Sequence, residues 1–213
     1  MFATFTPILF TIFVVIDPLG LVPLYIGLCS PFSERERNKV IRTAVLTAVL
    51  VLGLFILAGR WMLDKLGVSP GSFYIAGGIM LFLVSLDMLF GKERRSKTSE
   101  AERGADSGES GSPAVFPLAI PMLAGPGAIS AILLFNTADA PQPLTAILVA
   151  AACLITLAIA ALAMKLSAGI LRVLGRTGVS VLERIMGLLL SGMSVQFVYD
   201  GLVRLSALPG ALR

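Results

Sequence analysis

The sequence predicts an all-α membrane protein: six transmembrane helices in two inverted three-helix repeats, with helices 1 and 4 discontinuous. Three observations predict it. The 213 residues are 56% apolar and only 14% charged, against about 25% charged in a soluble domain, and the mean hydropathy is +0.91. Uncharged runs recur at the length of about 20 residues that a helix needs to cross the hydrocarbon core. The first and fourth runs are each broken in the middle, at Asp17-Pro18 and, 108 positions later, at Gly125-Pro126.

The spans follow in order. The first covers about 2–28, and Asp17 is its only charge, with 16 uncharged residues on either side. It has no positive n-region and reads as a retained helix, not a cleaved leader. The second lies between Arg42 and Arg60, over 43–59, and Ser33-Glu34-Arg35-Glu36 ahead of it reads as its cap and first turn. The third covers 66–86 and closes at Asp87. The stretch 92–112 holds ten charges, five of each sign, with five Ser and three Gly. Such a composition cannot bury a core and predicts a flexible loop. It divides a first repeat, 1–91, from a second, 113–213. The fourth and fifth spans lie within the uncharged stretches 112–138 and 140–164, and the sixth is 185–203, interrupted by Asp200. None of these runs alternates as barrel strands would.

Charge sets the orientation. The loops after spans one, three and five hold 13 of the 17 Lys and Arg, leaving 4 on the other side. Positive residues mark cytoplasmic loops. The charged loop is therefore expected in the cytoplasm, with both termini outside. The net charge of +4 is thus a topology signal, and no nucleic-acid partner is expected.

Composition also excludes chemistry. With no histidine, Ser-His and Cys-His triads and His-ligated metals are absent. The two cysteines, Cys29 and Cys153, imply no disulfide framework. No Walker motif occurs, so the chain does not itself use ATP. An enzyme is not expected. An intramembrane aspartyl protease needs two carboxylates in one site, and Asp17 with the shallow Asp87 is the only conceivable pair.

The two halves carry the same features in the same order. Asp17-Pro18 pairs with Gly125-Pro126. Leu66-Gly67-Val68-Ser69 pairs with Gly178-Val179-Ser180. With a two-residue gap, Gly78 matches Gly187, Ser85 matches Ser194 and Asp87 matches Gln196. Three spans per half is an odd number, so the second half enters the membrane in the opposite sense, as in transporters with inverted repeats.

Breaks in lipid are costly, because freed backbone groups find no water. Asp17-Pro18 reads as the start of a new half-helix, with Pro18, Gly20 and Pro23 around it. Gly125-Pro126 reads the same way, followed by Gly127 and Ala128. A bare helix N-terminus offers N–H groups and a partial positive charge to a carboxylate. Asp17 can face an ammonium group. If the breaks meet at mid-membrane, they suit a small zwitterion, with Ser130 one turn further on. Plainer roles compete. Asp17 can cap its own helix, the breaks can be packing kinks, and Ser130 can serve a helix contact. Asn136 and Thr137 are further polar residues on the fourth span. Gly77, Gly78 and Gly187 suit close helix packing. Arg60, Trp61, Phe90, Phe197 and Tyr199 read as interfacial anchors.

Ile16-Asp17-Pro18-Leu19-Gly20-Leu21-Val22-Pro23 resembles the D-P-x-G-x-x-P element of the MarC family of bacterial and archaeal inner-membrane proteins. The run from Pro117-Leu118-Ala119-Ile120-Pro121 through Ala124-Gly125-Pro126-Gly127-Ala128-Ile129 is similar to its second element, P-L-A-x-P-x-x-A-G-P-G-x-I. Ile75-Ala76-Gly77-Gly78-Ile79 and Arg184-Ile185-Met186-Gly187-Leu188 resemble its third and sixth helices. The resemblance covers essentially the whole chain. It implies a multi-pass secondary transporter of small neutral amino acids of the glycine, alanine, serine or threonine class. That implies alternating access, a coupling ion (proton or sodium) and no resident cofactor. An ion or metal channel or transporter, and an accessory membrane protein without transport, are the alternatives. One deep carboxylate is thin for a hard cation.

Overall fold

The computed structural model describes residues 2–90, 113–137 and 143–206; the charged loop expected at 92–112 lies outside them. Every regular element among the described residues is helical, and none is a strand. In chain order they are α1 (Phe2–Ile16), α2 (Leu21–Cys29), α3 (Glu34–Lys65), α4 (Pro70–Phe90), α5 (Ala114–Leu123), α6 (Pro126–Thr137), α7 (Pro143–Lys165) and α8 (Ser167–Ser206). Five stretches are each long and apolar enough to cross a membrane. These are Thr4–Cys29, Glu34–Lys65, Gly71–Phe90, Pro143–Lys165 and Thr177–Ser206. A sixth forms if α5 and α6, bent by 45°, count as one.

Local chemistry sets the ends. Ser33 and Glu36 close a capping box at the start of α3: the Glu36 N–H donates to Ser33 Oγ, and the Ser33 N–H donates to Glu36 Oε2 at 2.8 Å. α3 then runs through Arg42 and Arg60, well past the apolar stretch 43–59 on both sides. Ser69 caps α4, its Oγ accepting the Ser72 N–H at 3.1 Å, so the third span starts later than the expected 66–86 and takes in Asp87. α8 is far longer than the expected 185–203 but is not one rod. Gly175 sits at φ 64°, ψ 174°, a conformation open essentially to glycine alone. A limb from Ser167 precedes it, and the span Thr177–Ser206 follows.

The packing crosses between the chain's halves. α3 packs on α5, α6 and α7, while α7 packs on α1, α2 and α3. α4 packs on α6 and α8, while α8 packs on α2 and α4. The α4–α8 crossing is the closest, and glycines make it so. A Cβ on Gly78 would lie 2.8 Å from the Ser194 carbonyl oxygen, and one on Gly187 would lie 3.0 Å from that of Ser85. Backbones approach this closely only where side chains are missing. The first span runs through the core: Ile8, Ile12, Val14, Ile16, Leu21 and Val22 are all buried. Against the anchor expectation, Phe197 packs inward, edge-on to Tyr74 at 6.1 Å and to Phe135 at 6.0 Å. Its aromatic neighbours, which sequence spacing does not reveal, draw it in. Trp61, Phe90 and Tyr199 are exposed.

Candidate functional site

The first break is built by one residue. α1 ends as the Asp17 N–H donates to Phe13 O at 3.0 Å, and Asp17 then turns to φ +48°. That left-handed region is closed to most side chains but tolerated by Asp. Pro18 supplies no N–H and opposes helical geometry at the residue before it. The Asp17 carboxylate folds over the turn, its Oδ1 accepting the Gly20 N–H at 3.1 Å. The helix resumes at Leu21, whose N–H donates to Asp17 O at 3.3 Å. This differs from a half-helix starting at Asp17-Pro18. The left-handed Asp17 needs a four-residue turn, and Gly20 stands at the N-cap with no side-chain cap of its own. Asp17 is 4% exposed. Pro18 and Gly20 are buried, and Pro23 faces outward.

The second break is built differently. In α5 the two residues ahead of prolines, Phe116 and Ile120, are extended, at φ −125°, ψ 127° and φ −126°, ψ 122°, as proline demands of its predecessor. The winding between them is wide, with bonds reaching five residues back, such as Ala124 N–H to Ala119 O at 2.8 Å. α6 begins at Pro126, and the Ile129 N–H donates to Gly125 O at 3.0 Å. A side chain at Gly125 would collide with the Pro121 carbonyl oxygen. Gly125, Gly127, Ala128 and Ser130 are buried, whereas Pro126 is exposed.

The two segments touch. A Cβ on Gly127 would lie 3.0 Å from Val15 Cγ1, and 3.5–3.6 Å from Val84 and Leu81 of α4. Val15 is two residues before Asp17. The first turn of α6 therefore packs directly against the last turn of α1. Ser130, one turn along, points its hydroxyl to Met80 Sδ at 3.7 Å. Asp87 is half-buried. Gln196 is exposed and donates to Asp200 Oδ1 at 2.7 Å.

Three buried polar atoms stand out, one of them on a residue that sequence reading missed. Thr156 of α7 is fully buried, and its hydroxyl has no hydrogen-bond partner. A threonine in an apolar helix ordinarily bonds back to its own helix, as Thr11 does to Pro7 O at 2.8 Å, so the sequence carries no flag. Arg60 Nη1 and Asn136 Oδ1 are likewise buried without partners, while Asn136 Nδ2 donates to Ile56 O at 3.1 Å. Cys29 and Cys153 are buried and free. Among the described residues, no three His, Cys, Asp or Glu side chains gather as a metal site would require.

Residues 2–206 match the family described as MarC family integral membrane protein. A UPF0056 membrane protein of Archaeoglobus fulgidus is 41% identical over 203 residues, covering 94% of this chain and 91% of the relative. The UPF0056 membrane protein YhcE of Escherichia coli K12 is 34% identical over 192 residues, covering 90% and 88%. A third relative, from Methanocaldococcus jannaschii, is 37% identical over 193 residues, covering 90% and 92%. These names state a membrane protein and no substrate. No solved structure matches the chain.

Proposed function

The chain belongs to the MarC family of integral membrane proteins, and from that premise we propose that it is a secondary transporter of small neutral amino acids. Its substrate site lies where the two broken segments meet. The observation that carries this reading is the contact of Val15 with Gly127, which joins the break holding the buried Asp17 to the one opening α6. Asp17 faces the substrate's ammonium group, and the first amide groups of α6, after Gly125, receive its carboxylate. Ionisable residues at membrane depth are costly and usually functional. Gly127 lets the two segments pack closely and Gly125 leaves space for the Pro121 carbonyl oxygen, and the small residues Gly125, Gly127 and Ala128 leave room there for a small molecule alone. Ser130 stands one turn further along α6.

The inverted repeat supports the same reading. α3 on α5 is the counterpart of α7 on α1, and α4 on α6 is the counterpart of α8 on α2. Gly78 on Ser194 is the counterpart of Gly187 on Ser85. Contacts that exchange in pairs are what a two-fold axis between halves produces. Such halves rock about a fixed central site, coupled to a proton or sodium gradient. The excess of Lys and Arg in the loops after spans one, three and five orients both termini outward in the cytoplasmic membrane.

The test is uptake of radiolabelled glycine, alanine, serine and threonine into proteoliposomes, with and without proton and sodium gradients. Gradient-driven uptake of one of them, abolished in Asp17→Asn, is expected. Conductance with no amino-acid flux would instead favour an ion pathway.

A further inference from the structure

A second candidate ligand site lies away from the two breaks. Where the apolar spans end, at Cys29 and Lys165, a pocket of about 360 Å³ opens between α2, the start of α3 and the first limb of α8. Arg37, Arg172, Tyr25 and Ser167 line it, with Leu171 on its apolar side, and no acidic side chain does. Arg37 is held in place. Its Nε donates to Cys29 O at 2.9 Å and its Nη2 to Ser30 O at 3.1 Å. The guanidinium is thus locked over the turn that joins α2 to α3, and Tyr25 Oη donates to Arg37 O at 3.4 Å. Ser167 is only 6% exposed.

The limb that carries Arg172 lies outside the candidate spans yet presents apolar side chains outward. Val173 is 84% exposed, and Leu166, just ahead of the limb, is 53% exposed. A short helix that carries a cation beside bare aliphatic groups suits a membrane surface. Cationic pockets between helices at that depth suit phosphate groups, which arginine binds through paired N–H donors.

We propose that this pocket binds the headgroup phosphate of an anionic phospholipid. Arg37 and Arg172 contact the phosphate, the Ser167 and Tyr25 hydroxyls lie beside it, and the acyl chains run over Leu166 and Val173. The phosphate chemistry is shared with a free phosphate ion; the exposed aliphatic side chains beside the pocket favour the lipid.

The experiment measures binding of fluorescent phosphatidylglycerol to the full-length purified chain in phosphatidylcholine nanodiscs. Arg172→Gln is the main variant, because Arg37 also holds a turn and its loss could unfold the end of α3. Lys65→Gln, at the opposite end of α3, is the control. One arginine at a membrane surface contributes enough that Arg172→Gln should weaken binding about fivefold. Lys65→Gln should leave it unchanged, and millimolar inorganic phosphate should not displace the lipid. Equal binding by Arg172→Gln and the unaltered chain would overturn the proposal. So would displacement by inorganic phosphate, which would assign the pocket to a soluble anion, or the absence of any preference for phosphatidylglycerol over phosphatidylcholine.

Discussion

Gly78 faces Ser194 across the α4–α8 crossing, with 2.8 Å between a Cβ on the glycine and the serine carbonyl oxygen. The same Cβ would stand 3.0 Å from the Val198 backbone nitrogen. A Cβ on Gly187 meets Ser85 O at 3.0 Å and Leu89 N at 3.2 Å, so each contact repeats with both partners displaced by 109 positions. The serines match as well: Ser85 Oγ donates to Phe82 O at 2.6 Å, and Ser194 Oγ to Ser191 O at 2.7 Å. Leu81 and Leu190, also matched, are both fully buried.

A crossing with paired contacts predicts paired penalties. Gly78→Leu and Gly187→Leu should each destabilise the protein by about 1–3 kcal/mol through overpacking, and by similar amounts. Gly192→Leu, at a glycine with open space around it, should change stability by less than about 0.5 kcal/mol. Thermal unfolding of the purified variants checks this. Unequal effects at Gly78 and Gly187 would argue against a two-fold relation.

Asp17 has two separable roles, a backbone one and an electrical one. Asparagine tolerates the left-handed conformation and offers the same oxygen to the Gly20 N–H. Asp17→Asn should therefore keep stability within about 1 kcal/mol of the unaltered chain while removing the charge. Asp17→Val loses the cap and strains a β-branched residue at φ +48°, so it should cost about 2–4 kcal/mol. Comparing the two unfolding midpoints separates the cap from any charge-dependent function.

Much of the fold was legible because membrane spans announce themselves by composition. The helical class, the number of apolar runs and the packing glycines at Gly78 and Gly187 all follow from runs and spacings. The capping box at Ser33 was legible because its signature is local. What was not legible depends on tertiary contact or on fine backbone geometry. The four-residue turn after Asp17 follows from a left-handed residue that composition does not mark. The length of α8 was hidden because Gly175 breaks it before the apolar run begins. Phe197 read as a surface anchor because nothing in its surrounding sequence shows that Tyr74 and Phe135 enclose it. At the breaks, their matching places in the sequence raise a meeting only as a condition, and the residue that makes the contact, Val15, is an ordinary aliphatic with no signal of its own.

The contact at the breaks predicts a compensating pair. Gly127→Val should clash with Val15 and destabilise by about 1–3 kcal/mol. Adding Val15→Ala should recover at least half of that, because neighbouring substitutions couple. Purely additive losses in the double variant would mean that the two segments do not depend on each other.

The charge distribution predicts the side of the loop. In intact cells, a cysteine introduced as Ser99→Cys should resist a membrane-impermeant thiol reagent and react once the membrane is opened. The native Cys29 and Cys153 are buried and should contribute little background. Labelling of Ser99→Cys in intact cells would invert the proposed orientation.

The most direct test of a zwitterion site at the two breaks is thermal stability of the detergent-solubilised protein, scanned across the twenty amino acids. A ligand that binds only the folded chain raises the unfolding midpoint. At a hundredfold excess over its dissociation constant, the gain is about 2.7 kcal/mol. Stabilisation by glycine, alanine, serine or threonine, lost in Asp17→Asn although that variant folds normally, is the predicted result. Equal stabilisation of Asp17→Asn and the unaltered chain, or no stabilisation by any of the small neutral amino acids, would contradict it.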